Sequence, residues 1–270
     1  MNLPNFLIIG AQKCGTTWLY DMLNQHPEVY MAKKKELEFF SYSKNNLGDI
    51  KNYTSNFLDA NGKTAIGEAT PSYFWNANNY SKWNFKPNGF EKDIPKQVHE
   101  TLGSSTKLVL LLRNPIERAV SAYFHHCKKN RISFQNDLLD VGKYHGIIHM
   151  GFYYEHLVKW FEFFNPENFL IIIYETDIKE NSKETLKRTF NFLNVTNTFM
   201  PINHMTEIHK GMSRVKIDNN YYVSIDSKSG IKHQQLVVNK QTRKKLKEIY
   251  SEDILKLSNL LNKELVTLWQ

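Results

Sequence analysis

The N-terminal segment constrains the fold most, because an apolar run leads through a glycine-bounded loop into a helical pattern. Residues 6–10 are continuously apolar, as in a strand buried on both faces. Gly10 and Gly15 flank the loop, and helical spacing begins at Thr16. Glycine permits positive φ and close backbone approach, so consecutive N–H groups can converge on an anion at the helix N-terminus. The segment predicts a strand, a phosphate-binding loop and a helix; the alternative is a tight turn in which Lys13 is incidental.

Apolar runs alternate with helical patterns along the rest of the chain. This alternation predicts an α/β protein with a three-layer P-loop-type fold, in which helices flank a central, mainly parallel sheet. We expect a single domain over residues 1–270, with residues 76–93 and 196–239 largely irregular. Ligands of such sheets bind at the carboxyl ends of the strands. The first loop, the turn at Glu68 and the turn at Arg113 should therefore share one edge of the sheet.

The charge balance suits a polyanionic ligand but does not identify one. Lys and Arg number 35 against 27 Asp and Glu, a formal net charge of +8. A solvated lysine-rich surface explains the same excess. The two cysteines, Cys14 and Cys127, do not indicate a disulfide framework, and neither a signal-peptide pattern nor an apolar run of ~18 residues is present. These features predict a soluble, cytoplasmic protein without a transmembrane segment.

The position of Lys13 argues against nucleoside-triphosphate chemistry. In the standard phosphate loop, lysine directly precedes the Ser or Thr at the helix start, whereas Lys13 lies before Gly15. The strand predicted over 107–112 ends at Arg113, and the one over 169–174 leads to Glu175, so neither supplies an aspartate for Mg²⁺. A metal-dependent kinase is thus a weak alternative, and no metal is expected.

Two motifs, each at a strand-to-helix turn, resemble a known family. Residues 12–19 read QKCGTTWL and residues 111–123 read LLRNPIERAVSAY. Together and in this order they resemble the sulfotransferases that use 3′-phosphoadenosine-5′-phosphosulfate (PAPS) and release 3′-phosphoadenosine-5′-phosphate (PAP). The similarity continues through KELEFF at 35–40, EATPSYF at 68–74 and GFY at 151–153. These stretches are most similar to the heparan sulfate sulfotransferases and their bacterial relatives.

The resemblance implies a donor site in the first loop. Lys13 would neutralise charge on the leaving phosphate, as in-line sulfuryl transfer requires. Trp18 matches a position that stacks on adenine in some members, although a tryptophan there is about as often core. The implied donor-binding residues of this segment are Gln12, Lys13, Cys14, Gly15, Thr16, Thr17 and Trp18.

A second anion site is implied by the second motif. Arg113 and Ser121 match the pair that holds the 3′-phosphate, and a guanidinium offers a planar fork to phosphate oxygens. Arg118 is expected in a surface ion pair instead. Tyr153 resembles the tyrosine near the adenine, again with a core alternative.

The C-terminal donor loop of the family is matched less closely. Lys210, Gly211 and Arg214 are the nearest candidates, and their spacing differs from the family pattern.

The acceptor must lose a proton, so a general base is needed. Glu36 matches the catalytic glutamate of the heparan sulfate branch; burial near Phe39 and Phe40 would raise its pKa, and an exposed loop carboxylate is the alternative. Glu68 is the second candidate, and His125, one helical turn after Ser121, is a minor one. At the position directly after Glu68, glycan-sulfating relatives often carry lysine, whereas this chain has Ala69, which leaves a lysine contact to the acceptor in doubt.

The resulting hypothesis is metal-independent transfer of a sulfuryl group from PAPS to an acceptor hydroxyl or amine. A saccharide, a glycolipid or a sterol-like alcohol fits as acceptor, and no nucleic-acid partner is expected. The alternatives are an ATP-dependent phosphoryl-transfer enzyme and a non-enzymatic polyanion-binding protein.

Overall fold

The computed structural model describes residues 2–41, 50–75, 93–204, 214–217, 220–226 and 232–269; within 214–237 it describes the backbone only. The chain divides into two compact units. The first comprises Met1–Arg113 and His156–Ile208, and the second Asn114–Glu155 and His209–Gln270. One domain over residues 1–270 stays a prediction.

A five-stranded sheet forms the centre of the first unit. Its strands are β1 Phe6–Gly10, β2 Val29–Met31, β3 Ala65–Ala69, β4 Lys107–Leu112 and β5 Phe169–Ile173. They lie in the order β2-β3-β1-β4-β5, and every neighbouring pair is parallel. β1, β4 and β5 lie where the sequence predicts strands, and all five residues of β1 are buried, as a continuous apolar run requires.

Helices alternate with these strands along the chain, which confirms the predicted α/β class. The α-helices of the described residues are α1 Thr16–Leu23, α2 Ile50–Ser55, α3 Ile94–Leu102, α4 Pro115–Lys128, α5 Leu138–Val141, α6 Tyr153–Phe161, α7 Ser182–Phe192, α8 Lys240–Leu261 and α9 Leu265–Leu268. Short 3-10 helices occupy Leu58–Ala60, Tyr144–Gly146, His149–Gly151 and Pro166–Asn168, and a π-helical turn spans Tyr174–Glu180. Among the described residues, no helix has both the length and the apolar character needed to cross a membrane.

Helix α3 was not expected from the sequence, although its start carries a recognisable signal. The Asp93 side chain accepts a hydrogen bond from the Lys96 N–H at 3.4 Å, and Pro95 lies in the first turn. Aspartate at the N-cap followed by proline is a typical helix start. The mixed polar sequence that follows conceals the helix.

The second unit contains a three-stranded antiparallel sheet in the order β6-β7-β8. Its strands are Arg214–Ile217, Asn220–Asp226 and Lys232–Val238. The prediction that 196–239 is largely irregular is therefore wrong over these strands. The run YYVSI in β7 is rich in aromatic and β-branched residues, which favour strands even without a strict alternation.

Arg118 is buried in the second unit rather than paired at the surface. Its side chain is 0% exposed, and its Nη2 donates to the carbonyl of Gly146 at 3.2 Å and to that of Ile147. The surface ion pair predicted for it is wrong, because α4 turns this position toward the segment around residue 146. The neighbouring Glu117 forms an ion pair instead, with Arg243 at 2.8 Å, and both side chains are only partly exposed.

Candidate functional site

The loop between β1 and α1 has a backbone suited to an anion. Lys13 has φ 69° and Gly15 has φ 101°, both in the left-handed region. Gly15 is the N-cap of α1 and provides no side-chain acceptor for the N–H groups of the first turn. Since these N–H groups lack intrahelical partners, the helix start presents donors and a positive dipole end. The donor set fits a phosphate or sulfate group.

Glycine is required at both ends of this loop. A Cβ on Gly15 would lie 2.9 Å from Ile178 Cδ1 and 3.3 Å from Tyr174 Cδ2, so the loop packs directly on the π-helical turn. A Cβ on Gly10 would lie 2.6 Å from the Cβ of Phe74. A Cβ at either position would clash with a neighbouring side chain, so the backbone can approach its neighbours this closely only because both residues are glycine.

The loop side chains divide between the core and the surface. Cys14 is 0% exposed, and its thiol donates to the Gln12 carbonyl at 3.7 Å. Thr16 is buried, whereas Lys13 and Thr17 are partly exposed. Cys14 thus fills space beneath the loop, and the lysine and threonine remain accessible to a ligand.

Two polar groups of the same segment face inward. The Oε1 atom of Gln12 is buried and accepts no hydrogen bond within the described residues. The Trp18 ring is buried as well, and its Nε1 donates to the His204 carbonyl at 2.9 Å. This placement matches the core alternative for Trp18; its stacking on adenine stays a prediction.

Arg113 follows β4 and faces a residue that the sequence analysis did not select. Its guanidinium lies 4.8 Å from the ring centroid of Tyr174, and Lys179 Nζ lies 5.6 Å from the same centroid. Both distances are within cation–π range. The signal that could have found Tyr174 is its position at the end of a predicted buried strand, where ligand contacts of parallel sheets gather.

The segment of Glu36 lies at the same edge of the sheet. Glu36 and Glu38 have φ 63° and 56°. The Glu36 side chain is 52% exposed and pairs with Lys35 at 2.8 Å, whereas Phe39 and Phe40 are buried. The burial expected for the Glu36 carboxylate is therefore absent, and the carboxylate is open to an acceptor.

Glu68 has the opposite environment. It is 0% exposed, and its carboxylate accepts hydrogen bonds from Tyr53 at 2.8 Å, Tyr73 at 2.9 Å and Thr70 at 2.7 Å. Burial raises the pKa of Glu68, while these hydrogen bonds oppose the rise. Burial also raises the pKa values of Tyr53 and Tyr73, and the neighbouring charge of Glu68 adds to this rise.

Three candidates lie between Asn114 and Glu155 of the second unit. Ser121 and His125 are half-buried on α4, and the His125 ring lies 5.2 Å from that of His126. Tyr153 is 0% exposed, with its ring centroid 5.9 Å from that of Trp269. This is the core alternative for Tyr153; the ligand roles of these residues stay predictions.

The C-terminal donor loop lies largely outside the described residues. Lys210 and Gly211 fall there, and Arg214 is the first residue of β6. The segment predicted to be irregular over 76–93 also lies outside them, except for its last residue. No group of three or more His, Cys, Asp or Glu suited to a metal occurs in the part of the chain that the structure describes. Metal independence, a cytoplasmic location and the lack of a nucleic-acid partner stay predictions.

The parallel register brings the first-unit candidates to one edge. β3, β1 and β4 are consecutive in the sheet, so the Glu68 turn, the first loop and Arg113 follow neighbouring strand ends. Tyr174 follows β5, the next strand, and the Glu36 N–H donates to the Ala69 carbonyl at 3.0 Å. The predicted shared edge is therefore observed.

Comparison with known proteins identifies this arrangement. The family model described as the sulfotransferase domain matches residues 3–265. Carbohydrate sulfotransferase 15 of Mus musculus is 28% identical over 249 residues, covering 72% of this chain and 44% of the relative. Heparan sulfate glucosamine 3-O-sulfotransferase 5 of Mus musculus is 26% identical over 204 residues, covering 72% and 54%. The chain thus spans about half the length of these curated relatives.

A solved structure supports the fold. The sulfotransferase from Alicyclobacillus acidocaldarius aligns with a TM-score of 0.71 at 22% identity, covering 100% of this chain and 99% of that one. At this identity the likeness concerns the fold alone, and it agrees with the five-stranded parallel sheet. Together with the family match over residues 3–265, it confirms the resemblance seen in the two motifs: the chain belongs to the sulfotransferase family.

Proposed function

We propose that this protein transfers a sulfuryl group from PAPS to an acceptor hydroxyl or amine, in line and without a metal. The observation that carries the proposal is a pair of cationic features, each suited to an anion, at the ends of neighbouring strands. The loop with Lys13 and the uncapped start of α1 follows β1, and Arg113 follows β4. A ligand with anionic groups at two separated positions fits this pair better than a single phosphate does.

The donor would be held by residues already at the edge of the sheet. The N–H groups at the start of α1 and the Thr17 hydroxyl suit the 5′-phosphosulfate, and the Arg113 guanidinium suits the 3′-phosphate. Bound PAPS supplies the activated sulfuryl group. A role for Ser121 in donor binding rests on the family resemblance alone.

In-line sulfuryl transfer requires few groups from the protein. Lys13 neutralises the negative charge that develops on the leaving phosphate. The Glu36 side chain is 52% exposed at the edge of the sheet, and its carboxylate takes the proton from the acceptor hydroxyl or amine. Orientation of the two reactants supplies the rest of the rate enhancement.

A saccharide hydroxyl is the proposed acceptor group. The support comes from the relatives, which are named for carbohydrate and for heparan sulfate glucosamine. Glycolipids and sterol-like alcohols are the competing acceptors. Incubating the protein with labelled PAPS and one acceptor of each class, and separating the products, identifies the class; transfer to no saccharide would contradict the carbohydrate assignment.

Donor binding is the direct test of the proposed activity. Calorimetric titration with PAP should show binding that added Mg²⁺ does not improve, while ATP with Mg²⁺ is not turned over. ATP hydrolysis or phosphoryl transfer would instead favour the kinase alternative.

Lys13→Ala separates the enzyme from a polyanion-binding protein. In a sulfotransferase the variant loses turnover, because the leaving phosphate is no longer neutralised. Unchanged affinity for heparin, with a steep salt dependence and no nucleotide preference, would favour the non-enzymatic alternative.

A further inference from the structure

The Glu68 carboxylate lies at the centre of a buried hydrogen-bond network. Its Oε1 accepts from the Tyr53 and Tyr73 hydroxyls and its Oε2 from Thr70. The backbone N–H of Leu37 lies near the carboxylate and helps to lower its pKa. With 0% exposure and all of these donors directed at it, Glu68 offers no lone pair to an acceptor in solution.

Two backbone N–H groups attach the segment of Glu36 to the end of β3 and to this network. The Glu36 N–H donates to the Ala69 carbonyl at 3.0 Å, and the Glu38 N–H donates to Thr70 Oγ1 at 3.4 Å. Between them, the Leu37 N–H faces Glu68 and helps to lower its pKa. Residues 36–38 therefore run along the end of β3, attached at Glu36 and at Glu38.

This segment needs the attachments because its backbone is strained. Glu36 and Glu38 have φ 63° and 56°, a region that side-chain-bearing residues rarely adopt. Such conformations persist where the surroundings over-determine them. The carboxylate at Glu68 and the hydroxyl at Thr70 provide that restraint.

Aromatic packing joins the same network to the residues that follow the segment. The Phe39 ring stacks on Tyr53 with centroids 4.2 Å apart and an interplanar angle of 12°. Phe40 meets Tyr73 edge-on at 5.3 Å. The two tyrosines that bind Glu68 thus also hold the residues next to Glu36.

We infer that Glu68 is a positioning residue for Glu36: through Thr70 and the backbone of residues 36–38, the buried carboxylate fixes where the exposed Glu36 carboxylate meets the acceptor. The inference rests on the proposed function, in which Glu36 is the general base. It assigns different roles to the two carboxylates: Glu36 touches the substrate, and Glu68 acts only through the segment.

Thr70 provides a matched pair of variants for the test. Its hydroxyl donates to Glu68 and accepts from the Glu38 N–H, so Thr70→Val removes both bonds at nearly constant shape, whereas Thr70→Ser keeps them. Thr70→Val should lower kcat about 10- to 100-fold, the size of effect that misplacing a catalytic group by about 1 Å produces. Thr70→Ser should restore most of the turnover, and both should bind PAP with native affinity. Equal losses in the two variants, or native kcat in Thr70→Val, would overturn the inference.

A double variant distinguishes positioning from a general structural role. If Thr70 acts only through Glu36, then Glu36→Gln with Thr70→Val should be no slower than Glu36→Gln alone. Losses that multiply would contradict the assignment. Tyr73→Phe, which removes one donor to Glu68, serves as the second variant if Thr70→Val does not fold, with the same expected kcat loss and PAP affinity.

Amide hydrogen exchange of the whole protein tests the attachment without relying on activity. The Leu37 and Glu38 amides should exchange faster in Thr70→Val than in Thr70→Ser, while amides of β1 stay protected. Absence of PAP binding and of sulfuryl transfer in the native protein would refute the proposed function and, with it, the catalytic part of this inference. Native exchange at both amides in Thr70→Val would refute the attachment alone.

Discussion

The Arg113 guanidinium lies over the Tyr174 ring, 4.8 Å from its centroid. The register of the sheet places it there: Leu112 of β4 pairs with Ile173 of β5, so the next residues of the two strands are neighbours at the same edge. A ring face holds a planar guanidinium flat and leaves its edge for a phosphate. The Tyr174 ring also lies 3.3 Å from where a Cβ on Gly15 would be. Tyr174 therefore adjoins both the first loop and Arg113, the two features that the proposed donor requires.

Arg113→Ala should weaken PAP binding about 10- to 100-fold, because a hydrogen bond to a charged group contributes about 1.5–3 kcal/mol. Arg113→Lys should recover little of the affinity, since an ammonium lacks the planar fork. Isothermal titration with PAP measures both.

Lys107→Ala is the matched control for Arg113→Ala. It removes a cation from the opposite end of the same strand and should bind PAP as the native protein does. Native affinity in Arg113→Ala would remove Arg113 from the donor site.

Gly15→Ala should destabilise the protein and weaken PAP binding together. A φ of 101° is strained for alanine, at about 1–2 kcal/mol, and the added Cβ would press on Ile178. Because the displaced backbone is the one that presents the α1 N–H groups, the ligand affinity should fall as well. Urea unfolding measures the loss of stability, and PAP titration measures the loss of affinity.

Gly62→Ala separates the conformational cost from the ligand effect. Gly62 has φ 77°, and a Cβ there would have no atom within 4 Å, so the variant should lose stability and keep its PAP affinity. If Gly15→Ala behaves the same way, the first loop does not bind the donor.

Glu36→Gln should lower kcat by orders of magnitude and leave the PAP dissociation constant nearly unchanged, because the amide cannot accept the acceptor's proton. Single-turnover transfer from labelled PAPS measures the chemical step. Asp59→Asn neutralises another exposed carboxylate, 65% exposed at its side chain, and should leave kcat as it is. If Glu68→Gln and not Glu36→Gln shows this phenotype, the roles of the two glutamates are exchanged.

The sequence was sufficient for the parallel sheet because β1, β4 and β5 are nearly continuous apolar runs, and for the first loop because Gly15 has a φ of 101° that favours glycine. It was not sufficient for β6–β8, which lack a strict alternation of apolar and polar residues, or for the burial of Arg118, which depends on carbonyls distant in the sequence. The exposure of Glu36 and the burial of Glu68 were equally inaccessible. Both depend on which of the two glutamates accepts the hydrogen bonds that the Tyr53 and Tyr73 hydroxyls donate.

Asp253 makes the stability of the protein depend on pH. Its carboxylate is 6% exposed and accepts the N–H groups of Tyr154 and Glu155 at 3.1 and 3.3 Å, at the start of α6. Burial outweighs these hydrogen bonds and raises the pKa of Asp253 from 3.8 to about 7. Between these two values the folded state holds a proton that the unfolded state has lost.

The free energy of unfolding should therefore fall as the pH rises through this window, by up to about 1.4 kcal/mol per pH unit for this group, and the contribution is complete only below the pKa of the unfolded chain. Asp253→Asn cannot titrate, so urea unfolding between pH 5 and 8 should give a flatter profile for this variant than for the native protein. Asp140→Asn, which neutralises an exposed carboxylate of α5, should keep the native slope. Parallel profiles for Asp253→Asn and the native protein would show that Asp253 has the same pKa in the folded and unfolded states, because only a difference between the two states makes stability depend on pH.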